Sequence, residues 1–279
     1  MTANNSMVAK QTAATDGIQQ TAVLTGASGG IGVIVARLLL DGGYRVVALS
    51  RSVPSIEHPA FTHIAFDAAD LDGLEQICAH LSRQCPSVHV LIHCSAVIAP
   101  SSVEELNVQE ALRQIAVNLT APIVLTSRFL PNIQRGGRIV FVNSMAAAMP
   151  LSGSSVYAAT KAGLRNMALS LAQEVRSRDI SVSSIFPCAV MTNMLRQEMA
   201  EGGSILNFVS PPATPEAVAR EIMALVRKPK LERFFPAMDG AFGRLCMFAP
   251  GLLRLSLPIL TFFGKRGYQR ALRRNLMSE

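Results

Sequence analysis

From residue 21 to residue 186, short runs of β-branched and apolar residues alternate with longer stretches in which apolar positions recur at helical spacing. The runs "TAVLTG" (21–26), "YRVVALS" (44–50), "THIAF" (62–66), "VHVLIH" (88–93), "RIVFVN" (138–143) and "ISVSSIF" (180–186) read as strands. Between them "IGVIVARLLLDGG", "DLDGLEQICAHLSRQ", "VEELNVQEALRQIAVN" and "YAATKAGLRNMALSLAQEVRSR" read as helices, the first closed by a glycine pair. Strands that are almost continuously apolar have no wet face, which predicts a parallel sheet covered by helices on both sides. No repeat, low-complexity block or linker interrupts the pattern before residue 187, so one doubly wound α/β domain over 21–240 is the economical reading.

The flanks differ. Residues 1–20 lack the apolar segment of a secretory signal and read as a flexible polar arm. Residues 187–213 mix methionine-rich helical fragments with Gly and Pro breaks, the signature of a lid or binding loop within the domain. "TPEAVAREIMALVRK" then opens a helix with Thr214 as N-cap and Pro215 at the first helical position, and "LERFFPA" supplies a last strand. Residues 241–279 form an apolar and basic C-terminal extension.

The totals change this picture in two ways. The 279 residues are ample for a core without staples, and 16% charged residues make the chain rather apolar. The net charge of +7 would suggest a nucleic-acid or membrane face, but seven cations and one carboxylate from Ala241 onward carry +6 of it. The body is therefore nearly neutral, and no aromatic platform accompanies the charge, which argues against nucleic acid. Cys78, Cys85, Cys94, Cys188 and Cys246 contain no C-x-x-C pair and no histidine at ligand spacing, so no disulfide framework or metal site is expected. A reducing cytoplasm is the default compartment.

Two motifs carry chemistry. "TGASGGIG" (25–32) fills the turn between the first strand and first helix, where glycines let the backbone approach a pyrophosphate and the helix N-terminus offers unpaired N–H groups. Gly26, Ser28, Gly30, Ile31 and Gly32 are its candidate contacts. In "SSVYAATKAG" (154–163), Tyr157 and Lys161 stand four apart, on one face of a helix. With three tyrosines and five lysines in the chain, that spacing arises by chance in about one such sequence in twenty.

Gly26, Gly30 and Gly32 as T-G-x-x-x-G-x-G, followed by Tyr157 and Lys161 as Y-x-x-x-K, resemble the single-domain form of the short-chain dehydrogenase/reductase family, over roughly residues 21–237. The resemblance implies a Rossmann-type three-layer α/β/α fold, an NAD(P)-dependent oxidoreductase acting on CH–OH or C=O groups, and a homo-oligomer. It implies Tyr157 as acid/base and Lys161 as the cation acting on its hydroxyl. Ser144 matches the serine that polarises the carbonyl, and Asn118 the asparagine that holds a water between the lysine and solvent. Pro187, Val190 and Thr192 match positions near the nicotinamide and phosphates, and Asp67 the aspartate near the adenine. The family's N-N-A-G is "HCSA" (93–96) here and its P-G is Pro187-Cys188, departures that bear on cofactor fit. His93 and Cys94 themselves read as a packed imidazole and a buried thiol.

The second strand ends in "ALSRS" with no carboxylate. Ser50 and the planar fork of Arg51 suit a 2′-phosphate, so NADP(H) is expected over NAD(H). A tyrosine with an ordinary pKa of about 10 needs roughly 4 kcal/mol to ionise at neutral pH. A cation about 4 Å away at an effective dielectric near 20 supplies that much.

In the tail, Pro250, Gly251, Arg254 and Pro258 count against a spanning helix. A peripheral membrane contact, a cap on the substrate pocket or a partner interface all suit it, the membrane surface being preferred. With Met191, Met194, Leu195, Met199 and Phe208 in the lid, an apolar ketone, aldehyde or secondary alcohol is the expected substrate. A catalytically idle NADP-binding module that acts through a protein partner is the alternative reading.

Overall fold

The computed structural model describes residues 19–274. Seven strands form one parallel sheet: β1 Thr21–Thr25, β2 Arg45–Ser50, β3 Phe61–Ala65, β4 Val88–His93, β5 Ile133–Val142, β6 Ser181–Pro187 and β7 Glu232–Phe235. Their spatial order is β3-β2-β1-β4-β5-β6-β7, every neighbouring pair being parallel. The chain runs outward from β1 to one edge, then returns to lay β4 on its other side. That reversal leaves a crevice beyond the carboxyl ends of β1 and β4.

Helices cover both faces because both faces of each central strand are apolar. Val35 and Leu39 of α1 (Gly32–Asp41) and Val218 and Ile222 of α7 (Pro215–Arg227) pack on one side. Leu74 of α2 (Leu71–Gln84), Leu125 of α4 (Ala121–Phe129) and Leu164 of α5 (Ser155–Glu174) pack on the other. Each such fully buried side chain contributes about 1.5–3 kcal/mol.

Three elements differ from the sequence expectation. The expected helix over 103–118 starts late, because Asn107 caps α3 (Val108–Ile115) by accepting from the amides of Gln109 and Glu110. It also runs on through a π-helical turn, Ala116–Thr120, into α4. Pro122 explains the slip: it supplies no N–H to the carbonyl of residue 118, so the α-helical ladder cannot continue through that point. Strand β5 begins five residues early, through Gly136 and Gly137, where its register against β4 shifts between Val88 and Val90. The lid is partly helical, with α6 (Asn193–Ala200) and a 3-10 turn at Ile205–Phe208. Its stems are tied at the base, where Met191 N–H donates to Ala213 and Ala213 N–H to Ala189.

The tail folds as two helices, α8 (Ala237–Phe248) and α9 (Pro250–Arg273), Pro258 lying inside the second. Among the described residues, no helix is long and apolar enough to cross a membrane. α9 lies directly on the lid: a Cβ added at Gly264 would stand 2.7 Å from the Ile205 carbonyl oxygen, and one at Gly267 2.0 Å from that of Phe208. Only glycine permits that approach, so the tail and lid form one packed unit.

Candidate active site

The crevice is a cavity of about 850 Å³, walled by the glycine turn, the end of β5, the start of α5, the lid and the tail. The turn is built by close approach. Gly26 holds φ +71°, and a Cβ there would lie 2.7 Å from the Ser95 amide nitrogen. A Cβ at Gly32 would lie 2.0 Å from the Gly26 carbonyl oxygen. Thr25 Oγ1 accepts from the amides of Cys94 (3.1 Å) and Ser95 (3.2 Å), locking the "HCSA" segment to the turn through its backbone. The departure from N-N-A-G therefore leaves the contact intact, since main-chain atoms make it. The N-terminal end of α1 opens into the cavity through Gly29 to Gly32, giving the polar end that a pyrophosphate needs.

Ser144 and Tyr157 meet on the opposite wall. Ser144 follows β5, where its Oγ accepts from the Ala146 amide at 3.1 Å. Tyr157 sits in the first turn of α5, where the nearby Ser144 hydroxyl favours its ionised form. Lys161, one turn on and 1% exposed, donates from Nζ to the Val142 carbonyl at 3.1 Å and lies 5.7 Å from the Tyr157 ring centroid. Burial dominates both groups: it pushes the Tyr157 phenol up to about 12, against the pull of Ser144, and Lys161 down to about 8. The Tyr157 of this structure is therefore a protonated acid at neutral pH.

Asn118 is behind this wall rather than in it. Its Oδ1 accepts from the Val97 amide and its Nδ2 donates to the Val97 carbonyl, both at 2.8 Å, with Thr160 Oγ1 at 3.3 Å. Its side chain is thus spent on holding the segment after β4, while its main chain sits in the π turn. Pro187, Val190 and Thr192 line the cavity. Ser28 and Ile31 do so beside the glycines. Ser50, Arg51 and Asp67 lie outside it, at the ends of β2 and β3. Ser50 Oγ donates to the Ser52 carbonyl at 2.9 Å, Arg51 is exposed, and Asp67 caps the Ala69 amide.

The other reactive types are quiet. His93 is buried, stacked on Phe141, in contact with Thr126 Oγ1 at 2.8 Å, and held down to about 3, hence neutral. Burial pushes the Cys94 thiol up to about 12 and Cys188 to about 11, so neither is a thiolate. No cluster of three metal-ligating side chains occurs among the described residues.

Two contributors escaped sequence reading. Asn143 Nδ2, buried at the cavity wall, has no acceptor among the described residues, a donor that a bound molecule could satisfy. Glu198 of α6 lines the cavity, accepts from Asn207 Nδ2 at 2.7 Å, and its charge also raises Tyr157. Met238, Phe242, Leu253 and Leu260 bring α8 and α9 into the wall, so the tail does cap the cavity. Proline 122, four residues after Asn118, was the one readable signal for the π turn. Together the glycine cradle, the helix N-terminus and the unpaired donor fit a dinucleotide.

This fold and cleft define a dinucleotide-binding α/β oxidoreductase. The family described as short chain dehydrogenase matches residues 20–202. Carbonyl reductase family member 4 of Danio rerio is 26% identical, over 82% of this chain and 100% of its own. L-xylulose reductase of Caenorhabditis elegans is 30% identical, over 64% of this chain and 75% of its own. Among solved structures, a short chain dehydrogenase family protein from Francisella tularensis superposes with TM-score 0.71 at 18% identity, covering 78% of this chain and 97% of its own. The chain belongs to the short-chain dehydrogenase/reductase family, oxidoreductases that bind NAD(P)(H) and act on CH–OH and C=O groups.

Gly26 and Gly43 separate two causes. Both have positive φ, +71° and +82°, but nothing lies within 4 Å of a Cβ at Gly43. Gly43→Ala should cost about 1 kcal/mol in stability and leave dinucleotide affinity unchanged. Gly26→Ala should abolish binding in a fluorescence titration with NADPH; equal affinities for the two variants would contradict the close-approach account.

Proposed function

We propose that the chain is an NADPH-dependent carbonyl reductase for a lipophilic ketone or aldehyde. The observation that carries this reading is the Ser144–Tyr157–Lys161 wall facing the glycine turn across one largely apolar cavity. When bound, the reduced nicotinamide supplies hydride to the carbonyl carbon. The chain's own residues do the rest. The Ser144 and Tyr157 hydroxyls hold the carbonyl oxygen, and Tyr157 releases its proton to that oxygen as charge develops. Lys161, still charged at neutral pH, stabilises the phenolate left behind. Asn118 is a positioning residue; its main-chain carbonyl, to which Pro122 offers no N–H, is the proposed acceptor for a water on the path from Lys161 to solvent.

Gly26, Ser28, Gly30, Ile31 and Gly32 hold the pyrophosphate end, while Pro187, Val190 and Thr192 hold the nicotinamide end. Ser50 and Arg51 take the 2′-phosphate, and Asp67 stands near the adenine. Self-association is supported by Val108, Leu112 and Ile115, exposed at spacings of four and three along α3. The enzyme is read as cytoplasmic, with 241–279 as a peripheral membrane contact that would bring it to an apolar substrate.

NADPH oxidation with a panel of apolar ketones and aldehydes tests the core of this reading. Tyr157→Phe should lower kcat/KM by about 10²–10⁴-fold with NADPH affinity retained. Unchanged turnover would remove Tyr157 from the chemistry, and tight NADPH binding without turnover of any compound would favour the idle-module alternative. Arg51→Ala should raise the dissociation constant for NADPH about 10- to 100-fold while NADH binding hardly moves; parallel changes for both would refute the phosphate contact.

A further inference from the structure

The outward side of α9 is divided along its length. Leu255, Ile259 and Phe262 recur at spacings of four and three and are 78%, 63% and 51% exposed. The same stripe continues through Arg266, Arg270 and Arg273, all exposed. Phe248, at the corner where α8 turns into α9, is 89% exposed, and Leu245 precedes it by three residues on α8. The Arg266 guanidinium lies 4.4 Å from the Phe262 ring centroid, at the boundary between the two halves. No Asp or Glu occurs between residues 240 and 278.

The inward side is equally specific. Leu253 and Leu260 line the cavity, and Gly264 and Gly267 seat the helix on the lid's 3-10 turn. On this side, one helix separates the cavity from what lies outside it.

We propose that the α8–α9 corner and the outward side of α9 are a docking surface for an anionic bilayer and the gate through which a lipophilic substrate passes from lipid into the cleft. This rests on the apolar-substrate reading above. The apolar corner enters the acyl boundary while Arg266, Arg270 and Arg273 meet anionic headgroups. A second copy of the chain suits the surface poorly: a two-fold contact would set these cations against their own kind, with no carboxylate on the stripe to offset them. A wall one helix thick lets an apolar molecule enter beside the N-terminal half of α9, past Leu253 and Leu260 and upstream of the Gly264–Gly267 seat on the lid, without crossing water.

The full chain is tested by flotation with vesicles of phosphatidylcholine alone or with phosphatidylserine, and by turnover of a long-chain ketone held in vesicles beside a short water-soluble ketone. The parent should float only with the anionic vesicles, and less as salt rises. The Arg266→Glu, Arg270→Glu, Arg273→Glu triple variant should bind them at least about 100-fold more weakly. It should lose tenfold or more in kcat/KM for the vesicle-held ketone and keep its rate on the soluble one. Phe248→Ser with Leu255→Ser should do the same without altering charge. Equal flotation of parent and variants, no flotation at all, or equal turnover of the vesicle-held ketone would each overturn the proposal. So would a dimer that both variants abolish in the absence of lipid binding. If the parent reduces neither ketone, the reductase reading fails, and flotation still decides whether the surface docks.

Discussion

The buried ammonium of Lys161 is the constraint around which the site is arranged. A cation removed from water must be held by its surroundings, and here the β5 end supplies the Val142 carbonyl at 3.1 Å while α5 supplies the Tyr157 ring. The sheet sets where β5 ends. α5 packs against that sheet through Leu164 and Ala168, which fixes the helix turn carrying both catalytic candidates. Desolvation then sets their protonation: a phenol that keeps its proton and an amine held near 8. A reduction that consumes one proton per carbonyl suits that pair.

Much of this was legible in the sequence, for identifiable reasons. Strands β1, β2, β4 and β6 are local apolar runs, and the glycine turn and the tyrosine–lysine spacing are local as well. What escaped depends on partners distant in the chain. "APIVLTSRF" is too evenly apolar for a helical stripe to stand out, so α4 went unseen. The early start of β5 passes through "IQRGG", which no propensity would assign to a strand. The burial that raises Tyr157 and lowers Lys161 comes from packing between distant segments, which only the folded chain reveals. Glu198 gave no signal beyond being one more charged residue on a helix.

The lid and tail show the same division. Their methionines, phenylalanines and arginines announced an apolar and basic surface, but not that α9 has two working sides. Gly264 and Gly267 decide this, since their missing side chains let the helix lie on the lid backbone and turn the Leu255–Phe262 stripe outward. The residues that shape the cavity and those that face outward thus belong to one helix, which joins substrate choice to location.

The pH dependence of kcat/KM for carbonyl reduction by NADPH probes the central claim most directly. Tyr157 keeps its proton up to about 12, whereas Lys161 loses its charge above about 8. The active form is therefore fully present at pH 6 to 7, and the rate should fall by about tenfold per unit once pH rises beyond 8. A rate that climbs with pH through that range would mean that phenolate, not phenol, is the working state, and would contradict the account.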